Sequence, residues 1–275
     1  MYRYFSKYVT KTFLLFLLGM IFILVVHAIN NEKIPRGLFH DEASIGYNAA
    51  LIAESGYDEH GKFFPVYFES FYDYKPPLII YTAAALFKIF GVSAKILRSS
   101  NALFFGLFFV SFLGITRELY GKRKSVLAYS MISAGFIPWL FTLSRRCLEA
   151  ISQLATVSMA VYFIIRTFHS NSGNASRNAL FAGITLGLSI YSYQAAKLLT
   201  PLLLLLTCVL YVRRSTMKRS VIFISTFALT CVPYIYFTIT NPGGFTARFR
   251  KITHVYDTSL TLLQKIGISL ENYGK

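Results

Sequence analysis

Charge is scarce in this sequence, and negative charge is the scarcer kind. Of 275 residues only 12 are Asp or Glu against 28 Lys or Arg, and charged residues make up 15% of the chain. Soluble domains carry about 25%. With 55% hydrophobic residues and a mean hydropathy of +0.50, the composition excludes an ordinary soluble domain and indicates an integral membrane protein. The net charge of +16 raises nucleic acid as a partner, but the basic residues stand in short clusters between apolar runs, with none of the recognition motifs. That distribution marks topology signals and contacts with membrane lipid headgroups, so no nucleic acid is expected. Cysteine is rare too: Cys147, Cys208 and Cys231 show no metal spacing, and two lie inside apolar runs, which argues against a disulfide framework. No small-x-small cleavage site follows the run from Phe13 to Ile29, so this stretch reads as an uncleaved first span behind Arg3, Lys7 and Lys11. Internal repeats and low-complexity segments are lacking.

What is present is a series of apolar runs. A spanning helix needs about 20 residues to cross about 30 Å. By that rule seven spans are expected, at 12–29, 98–116, 125–143, 149–167, 178–194, 197–212 and 219–240. Leu78–Phe90 is left out, because its 13 residues reach only about 20 Å. Pro76-Pro77 opens it and Gly91 follows it, so it reads as a helix lying in the membrane interface. The connections 1–12, 117–124, 167–177 and 213–219 then share one side and carry the short basic clusters, including Arg117, Lys122 to Lys124, Arg177 and Arg213-Arg214. Such loops belong in the cytoplasm. The opposite, outer face receives 30–97, 144–148, 195–196 and 241–275. The expected protein is therefore all-α and multi-pass in the plasma (inner) membrane, with a cytoplasmic N-terminus. Residues 1–240 form its seven-span module, and 241–275 begin a second outer loop.

The outer segment from Gly37 to Pro77 holds seven of the 12 acidic residues: Asp41, Glu42, Glu54, Asp58, Glu59, Glu69 and Asp73. Carboxylates are costly in lipid, so this stretch lies in water or lines a polar cavity. Asp41–Ser55 reads as a short amphipathic helix, with Ile45, Ala49, Ile52 and Ala53 on one face and Gly56 as its stop. The aromatics from Phe63 to Tyr74 read as an interfacial belt or as sugar-stacking surface. The sequon Asn174-Ala175-Ser176 falls on the cytoplasmic side, where it would go unused.

Several side chains on that face could carry chemistry. Asp41 can act as a helix N-cap, and Glu42 beside it suits the helix dipole but is not explained by capping. Together the adjacent carboxylates could also serve as a general base or hold a divalent metal ion. Lys75, stiffened by Pro76-Pro77, is placed for a phosphate or for snorkelling to the interface. Arg145-Arg146 emerges on the outer side against the positive-inside tendency, which a phosphate or a salt bridge to Glu149 would explain. Gln194 and Lys197 open on the same face. His40, His60 and His254 are too scattered to be assigned as ligands.

These residues carry a resemblance. Phe39-His40-Asp41-Glu42-Ala43, Lys75-Pro76-Pro77-Leu78, Phe90-Gly91, Arg117-Glu118-Leu119-Tyr120-Gly121 and Ser144-Arg145 follow one another in this order and topology. The chain thus resembles the amino-terminal module of glycosyltransferase family 39, the dolichyl-phosphate-mannose-protein mannosyltransferase and aminoarabinose transferase type, with the type C membrane glycosyltransferase fold. The resemblance implies an inverting membrane glycosyltransferase that moves a hexosyl or pentosyl group. Its donor would be a polyprenyl-phosphate sugar, and its acceptor a hydroxyl on a protein, lipid or glycan. It implies Asp41 as general base, Glu42 as its supporting carboxylate, and Lys75 with Arg145 and Arg146 on the donor phosphate. Tyr74, Glu149 and Lys197 would support them. Where some relatives carry an acidic residue just before the lysine, this chain has Tyr74, with Asp73 one residue away, so no metal ligand set is assigned. Relatives continue through further spans, whereas this chain ends at Lys275 in LTLLQKIGISLENYGK, the expected start of a later interfacial helix. Two rivals stand beside this reading. An oligosaccharyltransferase or ligase-type enzyme would show a second acidic motif in the next outer loop, where only Glu149 is available. A transporter or flippase of an anionic lipid would place ionisable groups in mid-span.

Overall fold

The computed structural model describes residues 2–70, 73–121, 123–169, 172–214, 217–244 and 259–273. They form eleven helices and one small hairpin: α1 Tyr2–Ala28, α2 His40–Ser55, β1 Phe68–Ser70, β2 Asp73–Lys75, α3 Pro77–Phe90, α4 Ala94–Tyr120, α5 Lys124–Phe136, α6 Pro138–Ser144, α7 Glu149–His169, α8 Ser172–Ser189, α9 Ala196–Arg214, α10 Met217–Thr240 and α11 Leu262–Tyr273. Of these, α4, α7 and α10 are each long and apolar enough to cross a membrane, and α5 with α6 makes a fourth crossing bent by 59°. The apolar parts of α1 and α9, Leu14–Ala28 and Ala196–Leu210, are shorter.

All seven expected spans are occupied by helix, with two differences. The stretch 125–143 is broken at Ile137-Pro138 because Pro138 has no N–H for the carbonyl four residues back. His27 of α1 meets that break: its Nε2–H donates to the Gly135 carbonyl at 2.9 Å, and its other ring nitrogen lies 2.6 Å from Ser144 Oγ. The stretch 178–194 leaves the helix at Ser189 and ends in tight turns.

Connections alternate between the two ends of the bundle. At one end, Arg98 of α4 binds carbonyls just past α1, and Ser152 of α7 donates to Ser192 beyond α8. At the other, Glu118 of α4 pairs with Arg166 and His169 of α7, and Asn178 of α8 donates to the Arg166 carbonyl. Since α1 ends where α4 begins, α3 between them does not cross. Its Leu78 N–H bonds the Tyr191 carbonyl, and Lys88 Nζ near its far end donates to Ala53 of α2. It packs on α2 and α4, burying Ile79, Ile80, Ala83, Ala84 and Phe87. On α2 the expected face is the buried one (Ile45, Ala49 and Ile52), and Gly56 closes the helix at φ +80°.

Helix α8 packs closely on α10. Ala175, Ala179, Gly183 and Gly187 recur every four residues along α8, and small residues let backbones approach where lipid gives no hydrophobic drive. A Cβ on Gly183 would sit 2.5 Å from the Phe223 carbonyl oxygen, a backbone atom that cannot turn aside. Gly183→Leu is expected to lower stability by about 1–3 kcal/mol or more, read as a lower Tm in detergent. An unchanged Tm would mean that α8 and α10 are not so close.

Candidate active site

The site is built on the first turn of α2. The cap position is Phe39, not Asp41, and Glu42 at the third helical position accepts the Phe39 N–H at 3.0 Å. Capping therefore does explain one role of Glu42 and leaves Asp41 free of it. Glu42 is 1% exposed. Its Oε1 also accepts Arg98 Nε at 2.9 Å and the Cys147 N–H at 2.8 Å, while its Oε2 takes Arg98 Nη2 at 3.1 Å. Burial alone would raise the Glu42 pKa, but the Arg98 hydrogen bonds and the two backbone N–H groups outweigh it and hold the carboxyl below its usual value. Arg98 in turn donates to the carbonyls of Asn31, Pro35 and Gly37 at 2.7, 2.8 and 2.6 Å. One ion pair thus ties α2, α4, the exit of α1 and the turn before α7 together.

Asp41, one residue earlier, points elsewhere. Its Oδ1 accepts Lys75 Nζ at 2.7 Å, and its Oδ2 lies 3.6 Å from His40 Nε2. The lysine side chain is 11% exposed and the aspartate 39%, so the pair opens to solvent on the carboxylate side. Lys75 is held by the hairpin, where Phe68 faces it in antiparallel register, and by Pro76-Pro77 leading into α3. The adjacent Tyr74 carbonyl accepts Gln194 Nε2 from beyond α8, and the Tyr74 ring meets Phe237 of α10 edge-on at 5.2 Å.

The other expected residues fall around this pair in different states. Lys197, at the head of α9, is buried with its Nζ 5.2 Å from the centre of the Tyr67 ring, close enough to Asp73 and Glu149 to feel their charges. Glu149 opens α7. Arg145 is engaged by α1: its guanidinium donates to the carbonyls of Val26, Ile29 and Ile34 and lies over Phe141. Burial, then the charge of Arg98, lower its pKa. Arg146 Nε is buried and has no hydrogen-bond partner among the described residues. His60 lies on the hairpin through the Glu69 carbonyl, and His254 lies outside the described residues. All four donors on Glu42 being committed, the Asp41-Glu42 carboxylates do not converge on one point, and no group of three or more His, Cys, Asp or Glu gathers among the described residues.

Sequence reasoning gave no role to Arg98. The signal was there, since a lone arginine heading an apolar span needs a buried partner. Tyr67 falls in the stretch read as an interfacial belt or sugar-stacking surface, whereas it is buried and donates to the Ile190 carbonyl. All the buried Asp, Glu, Lys and Arg side chains among the described residues, namely Glu42, Asp58, Asp73, Lys75, Arg98, Arg145 and Lys197, belong to this one end of the bundle.

The fold is similar to that of two solved structures of ArnT from Cupriavidus metallidurans. One is bound to undecaprenyl phosphate (TM-score 0.61, covering 89% of this chain) and one is in the apo state (TM-score 0.65, covering 88%), each at 16% identity. The protein is thus an all-α integral membrane protein with the type C glycosyltransferase fold. A family model described as dolichyl-phosphate-mannose-protein mannosyltransferase matches residues 74–237. The chain belongs to that family. It spans 44% of the length of the two ArnT chains, and no curated protein matches it.

Proposed function

We propose that this chain carries the donor-side active site of a membrane glycosyltransferase that moves a sugar from a polyprenyl-phosphate donor to an acceptor hydroxyl. The observation that carries the reading is the Asp41–Lys75 pair, a half-exposed carboxylate and a buried ammonium brought to 2.7 Å from positions 34 residues apart. Each has one task. The donor phosphate displaces the carboxylate from Lys75, and the released Asp41 takes the proton of the acceptor hydroxyl as its oxygen attacks the anomeric carbon. The bond from that carbon to the phosphate oxygen breaks, polyprenyl phosphate leaves, and the anomeric centre inverts. Negative charge grows on the departing phosphate, so an ammonium fixed by a hairpin and two prolines stabilises the transition state more than the bound donor. Arg146, whose buried Nε is unmatched among the described residues, is the second cation assigned to that phosphate in this reading, whereas Arg145 holds the end of α1.

A lipid translocator is disfavoured by the span interiors. The hydroxyls of Thr116, Thr156, Thr185, Thr207 and Thr226 each donate to a carbonyl four residues back in their own helix, and the buried Asp, Glu, Lys and Arg side chains among the described residues lie at one end of the bundle and not in mid-span. Transfer of radiolabelled sugar from polyprenyl-phosphate sugars by the full chain in proteoliposomes tests the proposal, with lipid translocation measured beside it. Lys75→Ala is expected to weaken donor binding by about 10-fold or more, the worth of one charge-assisted hydrogen bond, and acceptor binding much less. Equal effects on both would remove the phosphate contact.

In this reading the site lies on the outer face, because the basic clusters at the opposite end mark the cytoplasmic side. An outward site in turn needs a lipid-carried donor, since nucleotide sugars are cytoplasmic. A thiol introduced at Gly121 should react with an impermeant maleimide only after the inner face is opened. Labelling from outside in intact cells would reverse the orientation.

A further inference from the structure

The first loop sends its aromatic side chains in two directions. Tyr67 and Phe68 enter the core, while Phe63 and Phe64 just before them are 64% and 54% exposed. Phe64 is held there at φ +40°, a backbone conformation that strains a bulky residue. The two rings nevertheless have fixed places. They meet edge to face at 4.8 Å, Phe63 sits 5.1 Å from Tyr57, and Phe64 stacks on Tyr81 of α3 at 6.1 Å. Both rings close over Gly56, at the end of α2. The same end of α2 holds the far end of α3 through Lys88 and the Ala53 carbonyl, and there Ile89, Phe90 and Val92 are all turned outward.

An apolar surface of this kind facing water is uncommon. This one leads directly into lipid-facing surface: Val92 precedes α4, whose outward row is Leu103, Leu107 and Val110. Lys95, exposed in the first turn of α4, follows Val92 closely. Exposed apolar side chains continuous with a span, beside a cation whose ammonium can reach the headgroups, are what an interfacial anchor requires. We infer that Tyr57, Phe63, Phe64, Ile89, Phe90 and Val92 form one wedge seated in the headgroup–acyl boundary of the leaflet at the Asp41–Lys75 end. The wedge and Lys75 sit at opposite ends of α3, so the wedge fixes the depth of the ammonium relative to the phosphates of the leaflet. This inference does not rest on the transferase reading.

The test uses the full chain in lipid nanodiscs, with Trp139→Phe removing the single native tryptophan. Phe63→Trp supplies a reporter on the loop, and in a separate protein Val92→Trp supplies one on the helix corner. Each is expected to show blue-shifted emission, to lose most of it to phosphatidylcholine brominated near the glycerol end of its acyl chains, and to lose little to aqueous iodide. Stronger quenching by iodide than by lipid at either position overturns the wedge. Protection from both quenchers also overturns it, since a protein surface would then be the occupant. Should Phe63→Trp not elute as a monodisperse species, Val92→Trp and Ile89→Trp decide by the same criteria.

Discussion

Asp41→Asn is expected to lower the rate of sugar transfer by about 10²- to 10⁴-fold, the usual contribution of a positioned general base, while the protein stays folded. Asparagine keeps the shape of the side chain and an oxygen that can accept the Lys75 ammonium, but it cannot take a proton from an acceptor hydroxyl. The carboxylate opens to solvent, and the asparagine oxygen in its place leaves the buried Lys75 ammonium with an acceptor. Tm should therefore hardly move. Polyprenyl phosphate binding should be kept or tightened, because the phosphate no longer competes with a carboxylate for Lys75. Turnover close to that of the unsubstituted protein would remove Asp41 from the chemistry. Loss of folding together with activity would make it a structural residue.

Arg98→Ala is expected to behave in the opposite way, costing about 3–5 kcal/mol of stability by stranding a buried carboxylate. The substitution deletes five hydrogen bonds, two to Glu42 and three to the carbonyls of Asn31, Pro35 and Gly37. Thermal unfolding in detergent would show a large drop in Tm, with Arg98→Lys restoring only part because an ammonium cannot span the same fork. The pair also gives a pH dependence of definite sign. Against burial, the Arg98 guanidinium and two backbone N–H groups hold the Glu42 pKa in the fold below its ordinary value of 4.5, so its stabilisation is complete above that pH and is lost as pH falls through the lower folded value. Tm should fall on acidification below pH 4.5, and the Arg98→Ala protein should show less of that fall. An Arg98→Ala protein as stable as the parent would mean the pair does not organise the loop.

Helical periodicity and element length were legible without coordinates. Ile45, Ala49 and Ile52 were readable as one buried face because burial repeats with the helix period, and Leu78–Phe90 was readable as non-crossing from its short length, its proline and glycine boundaries and the one-sided basic clusters together. The convergence of distant loops at one end followed from counting spans. Side-chain direction was less accessible. Asp41 and Glu42 are adjacent, and only the helix phase decides that one faces solvent and Lys75 while the other enters the core toward Arg98. The break before α6 was hidden for a related reason, since proline does not always interrupt: α9 and α10 run through Pro201 and Pro233. At Pro138 a histidine from another helix takes up a freed carbonyl, and such long-range satisfaction leaves no local trace. The arginine pair read as a phosphate site or as a salt bridge to nearby acids, but the structure gives Arg145 carbonyls to serve 111 to 119 residues away.

That grip on Val26, Ile29 and Ile34 has a mechanical meaning. The corner ahead of α7 cannot swing away from the end of α1 without rupturing several strong contacts at once, and the next residues of that corner supply the Cys147 amide that steadies Glu42. Asp41 and Lys75 therefore hang from a braced lintel joining two membrane helices, and thermal tilting of the first helix carries the whole lintel with it instead of prying the pair apart.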